Sequence, residues 1–149
     1  MKSILFVCLG NICRSPLAQG IAEKIIKEEG LDLHVDSAGT GDWHIGEAPC
    51  ENSIKVASLH DVDISQQRGR QITIEDFERY ELIVALDQSN VENLKKIGAT
   101  NLIKLGYFGY ENEDVPDPFF FPGFEGFDKV FNMIEACVIQ LLEDKVKNR

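Results

Sequence analysis

The chain begins with a stretch that decides its fold: residues 4–16, ILFVCLGNICRSP. Residues 4–7 form a short apolar run rich in branched side chains, which predicts a buried strand. Ser15 and Pro16 predict the start of a helix, because serine is a frequent N-cap and proline suits the first helical positions. The loop between strand and helix would direct backbone N–H groups toward one point, which favours binding of a phosphate-like anion. With the thiol of Cys8 and the guanidinium of Arg14 at its edges, this loop is a candidate nucleophilic site.

Length and charge narrow the class of protein. A chain of 149 residues fits one domain with a full hydrophobic core. It carries 15 basic and 25 acidic residues, a net charge of −10. Such a chain is not expected to bind nucleic acid or an anionic membrane through its overall field. We find no secretion signal and no apolar stretch of membrane-spanning length, so we expect a cytoplasmic protein that does not insert into membranes.

The cysteines and histidines favour a catalytic thiol over a structural or metal site. The four cysteines are Cys8, Cys13, Cys50 and Cys137, too few and too scattered for a disulfide scaffold. In a reducing compartment, a cysteine in an electropositive loop is expected to be catalytic. The three histidines, His34, His44 and His60, show no metal-ligand spacing and are interpreted as surface or core residues. No metal and no cofactor are expected.

Strands alternate with helices along the rest of the chain. After the first helix, which should stop at Gly30, we predict strands ending near residues 35, 86 and 105. We predict helices over residues 51–60, from a capping box at Ser89 to Gly98, and along an apolar face that contains Cys137. This alternation predicts a parallel sheet covered by helices on both faces.

Four polar segments should meet at one edge of that sheet. The loops at Cys8, Asp36, Asp87 and around Asp117 each follow a predicted strand, and ligands bind beyond the carboxyl ends of parallel strands. The last of these loops spans residues 106–126, a length that usually has a functional role. Asp117 is held there between two prolines.

These residue types suit the chemistry of a phosphate monoester. The loop amides and the bidentate Arg14 would hold the phosphate oxygens, and the helix end and the arginine favour a thiolate at Cys8. That thiolate would attack phosphorus, while Asp117 would protonate the leaving group and then activate water.

Residues 7–16 resemble the signature of the low-molecular-weight protein tyrosine phosphatases. Further segments resemble the same family in the same order: residues 36–40, 70–73, 87–90 and 117–119. The resemblance covers essentially the whole chain, and Cys-x5-Arg-Ser-Pro with a late Asp-Pro is highly specific. It implies one α/β phosphatase domain over residues 1–149, with three layers and a four-stranded parallel sheet flanked by helices on both faces.

The resemblance also implies roles for individual residues. Cys8 forms a phosphocysteine intermediate, Arg14 binds phosphate and Asp117 is the general acid and base. Ser15 would steady the thiolate, and Asn11 and Ser37 would hold the loop in shape. The other residues predicted to form the loop, support it or line the substrate cleft are Leu9, Gly10, Ile12, Cys13, Asp87, Trp43, Phe119 and Phe120. The implied substrates are phosphotyrosine-containing proteins, and the implied state is a monomer.

Two further positions, 13 and 67, are compared with the family pattern. Cys13 matches a family cysteine that traps an oxidised Cys8 as a reversible disulfide, although a small packing residue is an equally good interpretation. Gln67 stands where the family often has a histidine that links to the loop asparagine. A glutamine also donates and accepts, so we expect that link to persist in altered form.

Three alternatives remain. Arsenate reductases share the fold but need further cysteines, and this chain has none between Cys50 and Cys137. Protein arginine phosphatases typically have a small threonine at the position of Ile12, and the bulkier isoleucine favours an aromatic substrate. A phospho-ligand binding module without activity would be expected to have lost Cys8, Arg14 or Asp117, and all three are present.

Overall fold

A computed structural model describes residues 1–147. Its centre is a parallel sheet of four strands in the order β2-β1-β3-β4. The strands are β1 (Ser3–Cys8), β2 (His34–Gly39), β3 (Leu82–Ala85) and β4 (Leu102–Lys104). The predicted four-stranded parallel sheet is therefore confirmed.

Helices cover both faces of this sheet. They are α1 (Arg14–Glu29), α2 (Glu51–Leu59), α3 (Asp76–Arg79), α4 (Gln88–Ile97) and α5 (Glu125–Leu142). Short 3-10 turns occupy Leu105–Tyr107 and Pro118–Phe120, and a π-helical turn follows α5 at Glu143–Lys147. Within residues 1–147, no helix is both long and apolar enough to cross a membrane.

Side chains of β1 alternate between two hydrophobic clusters and so separate the layers. Ile4 and Phe6 lie in the larger cluster, with α1, α2 and α5, whereas Leu5 and Val7 lie in the smaller one, with α4. All four are fully buried, as expected for a central strand covered on both faces. This alternation confirms the three-layer arrangement.

The second strand is longer than predicted. We expected residues 36–41 to form a loop, but β2 continues to Gly39. Residues 36–39 pair with residues 5–8 of β1, and this long-range pairing outweighs the turn preference of a segment rich in serine and glycine. Both strands therefore end at the same edge.

The helix starts also differ in detail. Asp87, rather than Ser89, caps α4, and its Oδ1 accepts a hydrogen bond of 2.8 Å from the N–H of Asn90. Helix α1 begins at Arg14 with Cys13 at its N-cap, so Ser15 does not cap it. The predicted helix ends at Gly30 and Gly98 are confirmed, since both residues adopt the left-handed conformation there.

Candidate active site

The phosphate loop, residues 9–13, joins the end of β1 to the start of α1. Asn11 adopts a left-handed conformation with φ 58°, which asparagine tolerates better than most residues, and its N–H donates to the Sγ of Cys8 over 3.3 Å. The loop thus curls around the thiol at the N-terminus of a helix. This local geometry agrees with the predicted anion site.

The end of β2 supports the loop from outside. The N–H of Thr40 donates to the carbonyl of Cys8 over 3.0 Å, and the N–H of Gly41 donates to the carbonyl of Leu9 over 2.9 Å. A Cβ on Gly39 would lie 2.7 Å from the Leu9 carbonyl oxygen. Only glycine allows this approach of the two backbones.

A buried polar cluster lies beside the thiol. The Oγ of Ser15 is 3.0 Å from the Sγ of Cys8, and the amide nitrogen of Asn11 donates to the hydroxyls of Ser15 and Ser37 over 2.8 and 3.0 Å. These three polar residues are at most 4% exposed. The predicted grouping of Asn11, Ser15 and Ser37 around Cys8 is present.

Gln67 does not contact the loop asparagine, and the prediction of that link is wrong. Its Nε2 donates to the carbonyl of Pro16 over 3.1 Å, because the side chain packs against α1 near Gly20. Asn11 instead accepts a 3.0 Å hydrogen bond at Oδ1 from the backbone N–H of Arg70. No sequence pattern predicts that a backbone N–H, rather than a side chain, would donate to Asn11.

Two hydrogen bonds fix the side chain of Arg14. Its Nη1 donates to Asp87 over 2.7 Å and to the carbonyl of Val115 over 2.8 Å. The arginine is 8% exposed, so this ion pair is largely shielded from solvent. The acidic N-cap of α4 therefore fixes the position of the guanidinium at the cavity that Arg14 lines.

One cavity of about 200 Å³ joins the predicted residues. Its lining residues are Cys8, Leu9, Gly10, Ile12, Cys13, Arg14, Trp43, His44, Asp117 and Phe119. Trp43 and Phe119 are 66% and 65% exposed, which fits walls of an open cleft better than core residues. A larger cavity of about 340 Å³ between α1 and α5 has no cysteine among its lining residues.

Asp117 reaches this cavity from a distant loop. Its Oδ1 accepts a hydrogen bond of 3.0 Å from the N–H of Phe119 and so caps the turn Pro118–Phe120. The side chain of Phe120, which was predicted to line the cleft, lies outside the part of the structure that is described. His44 was not predicted for the site, yet its ring lies over Gly10 and its Nδ1 is 3.1 Å from Glu47.

Cys13 forms a disulfide with Cys50, whereas we expected no disulfide scaffold. We left two roles open for Cys13, a thiol that traps an oxidised Cys8 and a small packing residue, and the bond to Cys50 is neither of them. The Cys50 N–H donates to the carbonyl of Ile12 over 2.7 Å, and this contact brings the N-cap of α2 against the phosphate loop. Cys8 remains a free thiol beside the bonded pair.

The second free thiol, Cys137, is buried in the core as predicted. Desolvation by burial raises the pKa of Cys137 to about 11, so it is protonated at neutral pH. Since a thiolate is the reactive form, Cys8 is the better candidate for a nucleophile.

A free thiol in an anion-binding loop, an arginine at the same loop and a facing carboxyl together define the class of cysteine-dependent phosphatases. The family model for low molecular weight phosphotyrosine protein phosphatase matches residues 3–149. The chain is 38% identical over 153 aligned residues to the low molecular weight protein-tyrosine-phosphatase PtpA of Staphylococcus aureus, covering 99% of this chain and 96% of that protein.

Solved structures agree with this assignment. A protein tyrosine phosphatase from Entamoeba histolytica superposes with a TM-score of 0.89 at 30% identity, covering 97% of this chain and 96% of that one. The Drosophila arginine phosphatase DARP superposes with a TM-score of 0.88 at 30% identity, covering 97% of each chain. This chain belongs to the low molecular weight phosphotyrosine protein phosphatase family.

Proposed function

We propose that this protein hydrolyses phosphotyrosine in protein substrates through two steps at Cys8. In the first step the Cys8 thiolate attacks phosphorus, an S–P bond forms, and the P–O bond to tyrosine breaks as Asp117 donates a proton to the leaving oxygen. In the second step water attacks the phosphocysteine, Asp117 accepts a proton, and phosphate leaves with the thiolate restored. The loop amides and Arg14 stabilise the phosphoryl oxygens in both steps.

One observation carries this proposal: a single cavity joins Cys8 and Arg14 from the N-terminal loop with Asp117 from a loop near the other end of the chain. A binding module needs the arginine and the amides, but it has no use for a thiol and a carboxyl that face the same space. The arsenate reductase alternative is not supported by Cys137, because that thiol is fully buried in the core.

Ile12 favours tyrosine over arginine as the carrier of the phosphate. It lines the cavity beside Trp43 and Phe119, so the cleft presents apolar and aromatic walls that suit a phenyl ring. The likeness to DARP keeps arginine as the second candidate. A small polar residue at position 12 would leave more room and a hydrogen-bonding group for a guanidinium.

The test compares peptides of one sequence that carry phosphotyrosine, phosphoserine or phosphoarginine. We expect kcat/KM for the phosphotyrosine peptide to exceed that for either other peptide by at least about tenfold, since pocket contacts of this size discriminate by one to three kcal/mol. Phosphate release is the measurement. Faster release from the phosphoarginine peptide would reject the proposed substrate.

Asp117→Asn tests the general acid. Because the variant cannot donate a proton, we expect hydrolysis of phosphotyrosine, a poor leaving group, to fall by about a hundredfold or more, and hydrolysis of an activated nitrophenyl ester to fall much less. The control is Glu113→Gln, an exposed acid in the same long segment that does not line the cavity. Equal slowing of both esters in Asp117→Asn would remove the acid role.

We also propose a single domain over residues 1–149 that acts as a monomer in the cytoplasm. The cavity already brings together Cys8, Arg14 and Asp117, so the proposed reaction needs no residue from a second copy. A catalytic thiolate needs reducing surroundings to stay reactive, which favours the cytoplasm.

A further inference from the structure

A chain of hydrogen bonds runs from the middle of α1 to the thiol of Cys8. It starts at Gln19, whose Oε1 accepts a hydrogen bond of 2.5 Å from the hydroxyl of Ser37. Ser37 accepts from the amide nitrogen of Asn11, which also donates to Ser15, and Ser15 contacts the Sγ of Cys8. Gln19 is therefore connected to Cys8 by hydrogen bonds through three buried side chains, those of Ser37, Asn11 and Ser15.

Each link of this chain has a defined direction. A hydroxyl carries one hydrogen, so Ser37 gives it to Gln19 and can only accept from Asn11. The amide of Asn11 is oriented at its other end by the Arg70 N–H, which binds Oδ1. Both amide hydrogens then go to hydroxyl oxygens, and Ser15 has its own hydrogen left for the Cys8 sulfur.

Gln19 lies on α1, outside the phosphate loop. Burial raises the pKa of the Glu23 carboxyl one turn further along this helix, and the nearby side chain of Gln19 opposes that rise. The acceptor used by the Ser37 hydroxyl therefore comes from outside the phosphate loop.

We propose that Gln19 is a positioning residue for the reaction, whose carbonyl oxygen takes the Ser37 hydrogen and so helps Arg70 to hold the Asn11 amide in the orientation that leaves the Ser15 hydroxyl to donate to the Cys8 thiolate. The proposal rests on the proposed function in one respect, that Cys8 is the nucleophile. Gln19 touches neither substrate nor the reacting atoms. It acts through Ser37 and Asn11, which are 4% and 3% exposed.

Without the Gln19 acceptor, the Ser37 hydrogen is free to turn toward Asn11 and disturb its amide. The Arg70 N–H still holds one end of that amide, so the thiolate loses part of its support rather than all of it. A net contribution of one neutral hydrogen bond corresponds to a change of about three- to tenfold. The proposed effect is of this size.

The experiment measures alkylation of Cys8 by iodoacetamide against pH, with mass spectrometry to assign the modified thiol. In Gln19→Leu we expect the pH of half-maximal alkylation to rise by about half to one pH unit. We also expect kcat/KM for p-nitrophenyl phosphate at pH 6 to fall about three- to tenfold. Alkylation needs no turnover, so it tests the chain of hydrogen bonds even if phosphotyrosine proves not to be the substrate.

Three further variants separate positioning from a loss of stability. In Gln19→Met, which keeps the side-chain length without the carboxamide, we expect the same rise in the midpoint as in Gln19→Leu. In Gln19→Leu/Ser37→Ala we expect the midpoint of Ser37→Ala alone, because Gln19 acts only through Ser37. Gln140→Leu makes the same exchange on the exposed face of α5 and should match the wild type.

The charged groups around the cavity, Arg14, His44 and Asp117, are unchanged in all these variants. Asp36 and His34, which face Glu23, are also unchanged. Differences between the alkylation profiles therefore arise from Gln19 and its partners. Should Gln19→Leu fail to fold, Gln19→Met keeps the side-chain length without the carboxamide. A wild-type midpoint in a folded Gln19 variant, or additive shifts in the double variant, would overturn the proposal.

Discussion

Replacing Cys8 with serine is expected to abolish hydrolysis of p-nitrophenyl phosphate, with kcat lower by roughly four to six orders of magnitude, as for other catalytic nucleophiles. Serine keeps the shape of the side chain and its contact with Ser15, but its hydroxyl does not ionise at neutral pH. The phosphate loop should therefore survive while the attack on phosphorus is lost. Binding of inorganic vanadate or phosphate, measured by calorimetry, should confirm that the loop is intact.

The matched control for this variant is Cys137→Ala. Cys137 is the other free thiol, and it lies in the core away from the cavity lining. We expect this variant to lose some stability and to keep wild-type kcat. Substantial turnover in Cys8→Ser, or loss of turnover in a folded Cys137→Ala, would contradict the assignment of the nucleophile.

Arg14→Lys is expected to show the second largest effect. Lysine keeps a positive charge near Asp87, but it lacks the planar fork that binds two oxygens at once. We expect kcat/KM to fall by about a hundred- to a thousandfold, similar to the removal of a preorganised donor at other active sites. Steady-state kinetics with an aryl phosphate is the measurement.

Arg14→Ala should be worse, because it also leaves Asp87 as an uncompensated charge in a shielded site. Comparing Arg14→Lys with Arg14→Ala separates the effect of losing bidentate phosphate binding from the effect of losing the positive charge. Arg79→Lys, at an exposed arginine of α3 before the start of β3, is the control and should be neutral. If Arg14→Lys retained wild-type kcat/KM, bidentate binding of the phosphate by Arg14 would be excluded.

The core of this fold could be read from local patterns. The apolar run of β1, the cysteine and the helix start lie within residues 4–16, so this strand, loop and helix could be predicted from neighbouring residues. The ends of α1 and α4 follow equally well from Gly30 and Gly98, since a left-handed residue ends a helix locally. Asp117 was recognised because two prolines fix it in a long loop.

Features that depend on contacts between distant segments were missed. The extension of β2 to Gly39 requires pairing with β1, and the Cys13–Cys50 bond requires α2 to pack against the phosphate loop. Cysteine pairing does not follow from spacing alone. Gln19 lies in α1 and Ser37 lies in β2, and no sequence pattern around either residue predicts the hydrogen bond between them.

The Cys13–Cys50 bond also bears on the unfolded chain. The two cysteines are 37 residues apart, and the segment between them contains α1, β2 and the Trp43 turn. In the chain-entropy model, closing a loop of this length removes enough freedom from the unfolded ensemble to stabilise the native state by roughly 4 kcal/mol. This contribution is present only where the surroundings keep the two cysteines oxidised, so the domain would lose it in a reducing cytoplasm, while the nucleophile stays outside the cross-link in either state.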